Sequence, residues 1–410
     1  MIKFDFNIDC CGCTSCANSC PVEAIAMKQN ENGFLMPVVN EAVCIQCGKC
    51  ERVCPHLNIQ TDVSKYSLSD FNGKNTYLYY LNEKERNDSA SGGFVYAVST
   101  YFQQQNGVVC GCIWNKSIVA EHICSSEKED LHRMQSSKYV QSDLNRCFSH
   151  IKKELAEGRK VLFCGTPCQT AGLHFFLGNK EHENLLSIAV ICHGVGSPLV
   201  WEKYKKSLEK KYGGKLLLVN QRDKSFKGYN QSFCKYTFKE NLSNNTSATA
   251  KTKIIGMPTF LADPYVFLFT DNLFIRNSCC HCQYKGINNH ADIIVGDFYE
   301  SLVDAGNMGC SCLIAMTEKG DTLIRSVQGV VKQASLHQTV GSNAMLWKSV
   351  AKHPRRDEFF HEMENYKDGD IKLFLDFLPI RFKIKKVLNQ LGLFNLYLSL
   401  KRTYKRYHCK

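Results

Sequence analysis

The chain has 410 residues, a formal net charge of +12 and 23 cysteines. This length exceeds what one small module needs, so a sizeable second core is expected. Residues 1–9 contain no apolar stretch and no window of about 18 apolar residues occurs, which excludes the secreted and membrane-spanning classes and predicts a cytoplasmic protein. In such a protein, many cysteines indicate metal binding and not disulfide bridges.

The positive charge is concentrated at the C-terminal end. Nine Lys and Arg residues follow Asp376, whereas no Asp or Glu does. The remaining excess of positive charge is small, so the body of the chain gives no support for nucleic-acid binding.

Two cysteine runs near the N-terminus share the spacing C-x2-C-x2-C-x3-C-P. They consist of Cys10, Cys13, Cys16, Cys20 and Pro21, and of Cys44, Cys47, Cys50, Cys54 and Pro55. In this pattern three thiolates hold one [4Fe–4S] cluster, while the fourth thiolate serves the other cluster. The two predicted ligand sets are Cys10, Cys13, Cys16 and Cys54, and Cys44, Cys47, Cys50 and Cys20. Residues 1–56 therefore resemble a bacterial two-cluster ferredoxin, with Cys11 as a non-ligand.

Structural zinc sites or a disulfide framework are the alternatives for these cysteines. Zinc ribbons use C-x2-C pairs with longer spacers, and a doubled four-cysteine run that closes in Cys-Pro does not match them. A colourless preparation with zinc and no labile sulfide would identify the zinc alternative.

A polar segment, residues 57–75, predicts a linker to a larger domain over residues 76–380. Three β-rich apolar runs in this domain each lead into a loop of small residues, and they span 160–164, 186–191 and 291–295. Further strands are expected at 108–114 and 310–316, and we interpret their cysteines as small core residues. The polar stretch 240–253 predicts a surface loop or hairpin insertion. These elements predict an α/β fold (α+β overall) behind the ferredoxin-like module.

Ligands of open α/β sheets bind outside the carboxyl ends of the strands, so the three loops are expected to converge on one site. Cys168 follows the first of these strands and begins a predicted helix, whose N-terminus favours the thiolate. A candidate third four-thiolate site consists of Cys168, Cys192, Cys279 and Cys282. Cys164 and Cys280 lie nearby in sequence and compete for the same role.

The segment Ser89–Gly93 precedes apolar residues at helical spacing from Phe94 to Phe102. Serines that can cap and glycines that let a backbone approach a ligand predict a helix start that faces a flavin pyrophosphate or ring. An ordinary serine cap with a glycine-rich turn is the alternative.

Six motifs follow one another in the second domain. They are Ser89–Gly93, Ser137–Ser142, Gly165–Leu173, Cys192–Gly194 with Ser197, Pro198 and Trp201, Arg276–Cys282, and Asp292–Asp297. In this order they resemble the family of coenzyme F420 hydrogenase/dehydrogenase beta subunits, from about residue 76 to about residue 320. The last motif continues as Phe-Tyr-Glu300, where relatives commonly carry Trp-Gly, and no motif identifies a deazaflavin pocket or a nickel site.

The resemblance implies an α/β flavoprotein that carries FAD beside a further [4Fe–4S] cluster. The implied ligands of that cluster are Cys168, Cys192, Cys279 and Cys282. The implied contacts of FAD are Ser91, Gly92 and Gly93, with Lys138 and Tyr139 as candidates to contact flavin or an anionic substrate. His193 and Asp297 are hypotheses for catalytic residues, and a loop hydrogen bond for His193 and a turn or cap for Asp297 are the alternatives.

Two functions stay open at this point. The first is an iron–sulfur flavoprotein oxidoreductase that passes electrons between the [4Fe–4S] clusters and an organic substrate or deazaflavin coenzyme through FAD. The second is an electron-transfer subunit of a larger redox complex with no substrate of its own. Expected partners are an electron donor or acceptor such as ferredoxin or another redox subunit, and a small-molecule or lipid-linked substrate, but no nucleic acid.

The C-terminal tail, residues 381–410, alternates apolar and basic residues and predicts a basic amphipathic helix. One hypothesis is peripheral contact with anionic lipid at the inner face of the membrane. The alternative is a terminal helix that packs its apolar side onto the domain and leaves its charges in solvent.

Overall fold

The computed structural model describes residues 9–59, 66–239, 252–300 and 303–393. The strands are β1 (Ile25–Gln29), β2 (Leu35–Val39), β3 (Thr76–Tyr80), β4 (Val108–Trp114), β5 (Ala120–Ser125), β6 (Val161–Gly165), β7 (Leu185–Val190), β8 (Lys215–Asp223), β9 (Phe233–Lys239), β10 (Thr252–Pro258), β11 (Ile293–Asp297), β12 (Ser311–Ala315) and β13 (Val330–Gln333).

The α-helices are α1 (Ser15–Ser19), α2 (Lys49–Arg52), α3 (Pro55–Asn58), α4 (Glu83–Arg86), α5 (Phe94–Gln104), α6 (Lys128–Met134), α7 (Cys147–Ala156), α8 (Pro167–Phe176), α9 (Pro198–Tyr212), α10 (Pro264–Thr270), α11 (Glu318–Ser326), α12 (Leu336–Val340), α13 (Arg356–Glu362), α14 (Lys372–Asp376) and α15 (Ile380–Gln390). Short 3-10 helices span Leu68–Phe71, Tyr229–Gln231, Asn277–His281, Gly286–Asn289, Val303–Met308 and Ala344–Leu346. A small dicluster-type module followed by a larger mixed domain confirms the predicted α/β class.

A mixed eight-stranded sheet forms the centre of the large domain, in the order β13-β3-β12-β11-β7-β6-β4-β5. Strands β11, β7, β6 and β4 run parallel to one another, whereas the remaining pairs are antiparallel. The three apolar runs of the sequence correspond to β6, β7 and β11, which are neighbours in this sheet. Because parallel strands end at one edge of a sheet, the loops that follow these strands lie side by side.

The parallel strands bury side chains on both faces, as strands covered on two sides must. In β6, Leu162 faces a core shared with α5 and α11, whereas Val161 and Phe163 face a core shared with α7. A third and larger apolar core lies beside the antiparallel sheet β10-β9-β8. Strands β9 and β10 form a hairpin around residues 240–251, which lie outside the described part of the chain, and this agrees with the hairpin expected there.

The N-terminal module packs its helix α1 directly onto helix α8 of the large domain. Ser15 Oγ donates a hydrogen bond to the carbonyl oxygen of Gly172 at 2.8 Å. A Cβ atom at residue 172 would lie 2.8 Å from Cβ of Cys13, so this close approach requires glycine. Asn18 Nδ2 also donates to the carbonyl oxygen of Asn145 at 3.0 Å. These contacts tie the cysteine-rich module to the sheet domain.

The expected linker, residues 57–75, is structured where it is described. Its first residues belong to α3, and residues 60–65 lie outside the described part of the chain. Phe71 is completely buried in a core of the large domain, and Asn288 Nδ2 donates a hydrogen bond to the hydroxyl of Tyr66. The mostly polar composition of this segment therefore gave no indication that Phe71 packs into the large domain.

The described part of the C-terminal tail is helix α15. Phe382 is buried and its ring centroid lies 4.7 Å from that of Phe267, while Arg381 pairs with Asp271. Three other apolar side chains on this helix, Ile380, Ile384 and Val387, are exposed, for example Ile384 at 52%. Residues 394–410, including the last two basic pairs, lie outside the described part of the chain.

The expectation that the cysteines form no bridge is wrong for one pair. Cys110 on β4 and Cys124 on β5 are joined by a disulfide bond, with their Cα atoms 4.1 Å apart. The antiparallel register places these two residues directly opposite each other. The spacing of these cysteines in the sequence does not predict the bond, because their proximity depends on the register between β4 and β5.

Candidate functional site

Five cysteines of the N-terminal module line one cavity. Four of them are the predicted ligands Cys10, Cys13, Cys16 and Cys54, and the fifth is Cys11. The cavity thus collects three ligands from the first run and the last ligand from the second. Met27 and Pro37 of the β1–β2 hairpin also line it. Three of the four predicted ligands are buried, so this cavity faces into the molecule.

A second cavity contains the remaining ligands of the two runs. Its cysteines are Cys20, Cys44, Cys47 and Cys50, and apolar side chains such as Ile25 and Val39 line it. Cys47 is exposed, so this cavity opens toward the surface. The two cavities are close neighbours, since Cys50 adds to the raised pKa of Cys16, whose main cause is burial.

The chemistry of both cavities suits a thiolate-bound metal cluster. Backbone N–H groups donate to the sulfur atoms, from Gly12 to Cys10 Sγ at 3.3 Å and from Ala24 to Cys20 Sγ at 3.2 Å. Burial raises the pKa of Cys54 to about 12, and backbone N–H donors oppose this shift. Several thiols that are costly to ionise alone are stabilised when a metal replaces their protons. A [4Fe–4S] cluster with four thiolate ligands fits each cavity.

Arg276 joins the first cavity to the large domain. Its side chain is only 1% exposed, and its Nε donates to the carbonyl oxygen of Cys10 at 2.7 Å. Both terminal nitrogens of Arg276 donate to the carbonyl oxygen of Leu35 at 3.2 Å. Ser278 Oγ donates to the carbonyl oxygen of Cys10 as well, at 3.1 Å. A buried cation thus lies beside the first cysteine set.

Cys11, which the sequence predicts to be a non-ligand, lies between two groups of cysteines and interacts with both. Hydrogen bonds with Cys13 and with Cys168 lower the pKa of Cys11 well below its usual value. The same contact with Cys11 raises the pKa of Cys168 well above its usual value. Cys11 is therefore the contact between the first cavity and the cysteines of the large domain.

Four further cysteines of the large domain approach one another next to Cys11. The set, named the third cysteine set below, consists of Cys168, Cys192, Cys279 and Cys282. Cys168 lies in the first turn of α8, which begins with a reciprocal cap between Thr166 and Gln169. Burial raises the pKa of Cys279 to about 12, and the nearby Cys192 adds to this shift. Burial likewise raises the pKa of Cys282 to about 12, and Cys279 adds to that shift. Such mutual effects place the thiols within electrostatic reach of one another.

Two groups beside the third cysteine set partly offset the cost of ionising its buried thiols. Burial raises the pKa of Cys192 to about 11, while the ammonium of Lys285 and the N–H of Gly194 oppose this shift. Lys285 is itself buried and donates to the carbonyl oxygen of Cys192 at 2.6 Å. A cation and backbone donors beside four thiols again suit a thiolate-bound cluster.

The two competing cysteines point to other surroundings. Cys164 lies beside Cys112 and Lys138, and burial raises its pKa to about 12. Cys280 lies beside Arg356 and Lys352 and packs on the third apolar core. Neither of them is among the main causes of the raised pKa of Cys168 or Cys282, although Cys280 adds to the raised pKa of Cys279, whose main cause is burial.

The Ser89–Gly93 segment does begin a helix, but its residues serve packing. Gly93 is the N-cap of α5, with φ of 88°, and no side chain caps this helix, so the expected serine cap is wrong. Ser91 Oγ donates to the carbonyl oxygen of Cys310 at 2.6 Å. A Cβ atom at Gly92 would lie 2.2 Å from the carbonyl oxygen of Tyr79, so strand β3 occupies the space that a ligand was expected to fill.

Lys138 lies at the C-terminal end of a helix. Its Nζ is within hydrogen-bond distance of four consecutive carbonyl oxygens at the end of α6 and just beyond, from Arg133 at 3.0 Å to Ser136 at 3.3 Å, with the shortest distance to Gln135 at 2.7 Å. Burial lowers the pKa of Lys138 to about 8. A cation at this end of a helix is stabilised by the helix dipole.

Tyr139 and Asp297, by contrast, meet at one side chain. Arg222 donates from the same terminal nitrogen to the Tyr139 hydroxyl at 3.1 Å and to Asp297 Oδ2 at 3.0 Å. The other terminal nitrogen of Arg222 donates to the carbonyl oxygen of Ala90 at 3.3 Å. Arg222 thus contacts the Ser89–Gly93 segment, Tyr139 and Asp297, the last of which lies at the end of β11.

Arg222 and Lys224 are the residues that the sequence patterns did not reveal at this place. Lys224 is buried, and its Nζ donates to the carbonyl oxygens of Ser91 at 2.9 Å and Met308 at 2.7 Å. Burial, helped by Arg86 and Arg222, lowers the pKa of Lys224 to about 7. The only sequence signal was a charged cluster at residues 222–224, directly after the apolar start of β8.

His193 is held by its own neighbourhood. Its Nε2 lies 2.7 Å from Oδ1 of Asn272, and its ring centroid lies 5.4 Å from that of Phe269. Burial lowers the pKa of His193, so the imidazole is neutral at pH 7. Asp297 and His193 therefore occupy different surroundings and do not form one catalytic pair.

These features define the chain as an iron–sulfur protein with a 4Fe-4S dicluster domain, and residues 9–58 match the family model of that name. Residues 158–338 match the model that describes the C terminus of the beta subunit of coenzyme F420 hydrogenase/dehydrogenase. This part of the large domain is thus similar to that family of beta subunits, and the dicluster domain precedes it in the chain. The matched range contains the third cysteine set, whereas Ser89–Gly93, Lys138 and Tyr139 lie before it.

Two curated proteins are similar to parts of the chain. An F(420)H(2) dehydrogenase subunit of Methanosarcina mazei is 20% identical over 192 residues, which are 45% of this chain and 53% of that protein. The ferredoxin-type protein NapF of Haemophilus influenzae is 34% identical over 58 residues, which are 13% of this chain and 33% of that protein. The chain thus spans about half of the first relative and a third of the second.

A solved structure, that of the F420-reducing [NiFe] hydrogenase complex from Methanosarcina barkeri, contains a similar chain. The likeness has a TM-score of 0.39 and 13% identity, and it covers 73% of this chain and 93% of that chain. Among the helices of the described residues, none combines the length and the apolar character that crossing a membrane requires.

Proposed function

We propose that the chain is an iron–sulfur electron-transfer protein that works as a subunit of an F420 hydrogenase/dehydrogenase-type complex. The observation that carries this proposal is the pair of cavities, each of which contains the four cysteines of one predicted ligand set, drawn from both runs. When bound, a [4Fe–4S] cluster accepts or donates one electron at a time. The family match and the similarity to a dehydrogenase subunit support the role of a subunit.

Three ligand sets are part of this proposal. They are Cys10, Cys13, Cys16 and Cys54; Cys20, Cys44, Cys47 and Cys50; and Cys168, Cys192, Cys279 and Cys282. The second set lies nearest to solvent, since Cys47 is exposed, and the first set contacts the third through Cys11. Residues 9–58 then form the electron-transfer domain, and the large domain holds the inner end of the path.

The residues between the sets have supporting roles in the proposal. Arg276 places a buried positive charge beside Cys10, which stabilises added negative charge on the first set. Lys285 does the same beside Cys192. Gly172 lets α1 and α8 approach, and this close packing excludes water between the first and third sets.

A flavoenzyme is the second candidate function, and the surroundings of Arg222 favour it. Nε of Arg222 is buried and has no hydrogen-bond partner among the described residues. Phe260 and Tyr299 lie around this cation and are 40% and 61% exposed. A fixed cation between exposed aromatic rings suits the ring and the phosphates of FAD. In this candidate, electrons pass through FAD to a small-molecule or lipid-linked substrate, and Ser91, Tyr139 and Asp297 help hold the flavin.

A peripheral membrane position is a further part of the proposal. Ile380, Ile384, Val387 and Leu391 recur at helical spacing on and just after α15, and each is at least half exposed. Arg381 and Lys383 flank this stripe with positive charge. An exposed apolar stripe beside basic residues suits the surface of an anionic bilayer.

Anaerobic purification followed by measurement of iron, labile sulfide and released flavin tests these functions together. About twelve irons per chain without flavin support the electron-transfer protein with three clusters. About twelve irons with one FAD support the flavoenzyme, whereas zinc without labile sulfide overturns both. Attempted reconstitution with FAD before the measurement excludes loss of flavin during purification.

A further inference from the structure

A basic cleft adjoins the second cysteine set. It has a volume of about 280 Å³, and its walls include Asn18, Lys49, Arg52, Ser149, Lys152 and Phe176. Among the described residues that line it, three are basic and none is acidic. Lys49 lines both this cleft and the cavity of the second cysteine set. The cleft therefore begins where the proposed electron path reaches the surface.

The floor of the cleft is rigid because it is the junction between the module and the large domain. Asn18 on α1 accepts hydrogen bonds from the backbone N–H and the hydroxyl of Ser149, at 3.1 and 3.0 Å. Lys152, one turn further along α7, lies with its Nζ 5.9 Å from the ring centroid of Phe176. Arg52 and Lys152 belong to different domains, so the positive charge is held across the junction.

No acidic residue in the described part of the chain lines this cleft. Glu23, on the N-terminal module, pairs with Arg146 of the large domain at 2.7 Å. Glu51 lies on α2 beside Arg52, but it is not one of the residues that line the cleft. An open cleft with fixed positive charge attracts an acidic partner over distances near the Debye length.

Apolar side chains are also exposed beside the second cysteine set. Val43 and Ile45 flank Cys44 and are 44% and 60% exposed, and Cys47 follows them at the surface. Val38 on β2 is also 45% exposed. An apolar centre beside a charged rim is the usual composition of a protein interface, whereas a small anion needs only the charged part.

We propose that this face, made of Val43, Ile45, Lys49, Arg52 and Lys152, docks an acidic one-electron carrier protein. The proposal rests on the proposed electron-transfer function and names the partner of its outer end. The apolar residues bring the carrier close to Cys47, and the basic residues steer its approach and set its orientation. Transfer is an outer-sphere exchange, in which the carrier loses one electron and the second cysteine set's cluster gains it, or the reverse.

Charge reversal in the cleft tests this docking face. Stopped-flow absorbance would follow the oxidised, cluster-loaded full chain as it is reduced by an acidic bacterial two-[4Fe–4S] ferredoxin. The test variant is Arg52→Glu with Lys152→Glu. The matched control is Lys153→Glu, because Lys153 is on the same helix with a 73% exposed side chain and does not line the cleft. Reduction by the methyl viologen radical, which needs no docking, reports the integrity of the clusters in each protein.

We expect the bimolecular rate constant for reduction by ferredoxin at low salt to be at least about tenfold lower in the double variant than in the unmodified chain. In Lys153→Glu it should be lower by about twofold or less. We also expect the rate of the unmodified chain, and not of the double variant, to fall steeply with added salt. Equal rates for the double variant and the control would overturn the docking face. A loss of ferredoxin reduction on addition of pyrophosphate, beyond that of salt at equal ionic strength, would assign the cleft to a small anion and overturn it too. Failure of methyl viologen to reduce the unmodified chain would instead refute the electron-transfer function itself, and the docking face with it.

Discussion

Arg276 donates a hydrogen bond from Nε to the carbonyl oxygen of Cys10 at 2.7 Å. Cys10 belongs to the N-terminal module, whereas Arg276 begins the segment that carries Cys279 and Cys282. One buried guanidinium therefore connects two proposed ligand sets that are more than 200 residues apart in sequence, and it places a fixed positive charge between them.

Replacement of this charge is expected to change the redox properties of the first ligand set. Arg276→Met removes the cation and leaves the carbonyl oxygens of Cys10 and Leu35 short of donors, at a cost of about 3 kcal/mol in stability. The midpoint potential of the nearest cluster is expected to fall by on the order of 50 mV, because a nearby cation stabilises the reduced form. An EPR-monitored potential titration measures this shift. Arg276→Lys keeps the charge and should shift the potential far less, so equal shifts in both variants would refute the electrostatic role.

The close approach at Gly172 makes a prediction about packing. In Gly172→Ala the new methyl group would meet Cys13 at 2.8 Å, which costs about 1–3 kcal/mol and outweighs the higher helix propensity of alanine. We expect a lower melting temperature and loss of iron from the first ligand set, as measured by iron content and EPR. Gly256→Ala is the control, because a Cβ atom there meets only a ring carbon at 3.4 Å. Similar losses in both variants would show that Gly172 has no special role.

The crossed pairing of the two cysteine runs predicts which EPR signal each variant loses. Cys54→Ser should alter the cluster held by Cys10, whereas Cys20→Ser should alter the one held by Cys44. In the large domain, Cys282→Ser should lower the iron content by about four per chain, while the neighbouring Cys280→Ser should leave it unchanged. Cys11→Ser should retain the iron as well. Loss of iron in Cys280→Ser or Cys11→Ser, with full iron in Cys282→Ser, would contradict the proposed third set.

His122 on β5 is expected to make the stability of the fold sensitive to acid. Burial lowers its pKa to about 4, and its Nε2 lies 3.2 Å from the carbonyl oxygen of Cys164. The unfolded chain binds this proton more readily, so the stability is complete above pH 6.5 and is lost as the pH falls from 6.5 to 4, by up to roughly 3 kcal/mol. His122→Asn retains a donor for the carbonyl group and has no such proton. Thermal melts between pH 6.5 and 5 should therefore show a flatter pH dependence in the variant, and parallel curves would contradict this.

Local signals in the sequence predicted much of the fold and part of the candidate site. The cysteine spacing reflects short-range geometry, and β6, β7 and β11 carry buried apolar runs, so both are visible in a single chain. The contacts of Arg276 with Cys10 and of Gly172 with Cys13 depend on how distant elements pack, and no local pattern encodes them.

Residues that suit two roles are harder to assign from sequence. Gly92 allows a close approach of backbone, and its close neighbour in the structure is Tyr79 of β3. Lys138 is a cation beside a predicted flavin site, yet it serves the carbonyl groups at the end of α6. Arg222 is one of three consecutive charged residues that follow the apolar part of β8, and this pattern alone does not indicate a site. In the structure it donates hydrogen bonds to both Tyr139 and Asp297.

The most direct test of the central claim is the EPR spectrum of the anaerobically purified chain during stepwise reduction with dithionite. We expect simple signals of isolated [4Fe–4S] clusters at partial reduction, and a broadened, spin-coupled signal at full reduction, because the cavities that contain Cys16 and Cys50 are neighbours. The absence of any [4Fe–4S] signal, or signals that never broaden at full reduction, would contradict an electron path through adjacent cysteine sets.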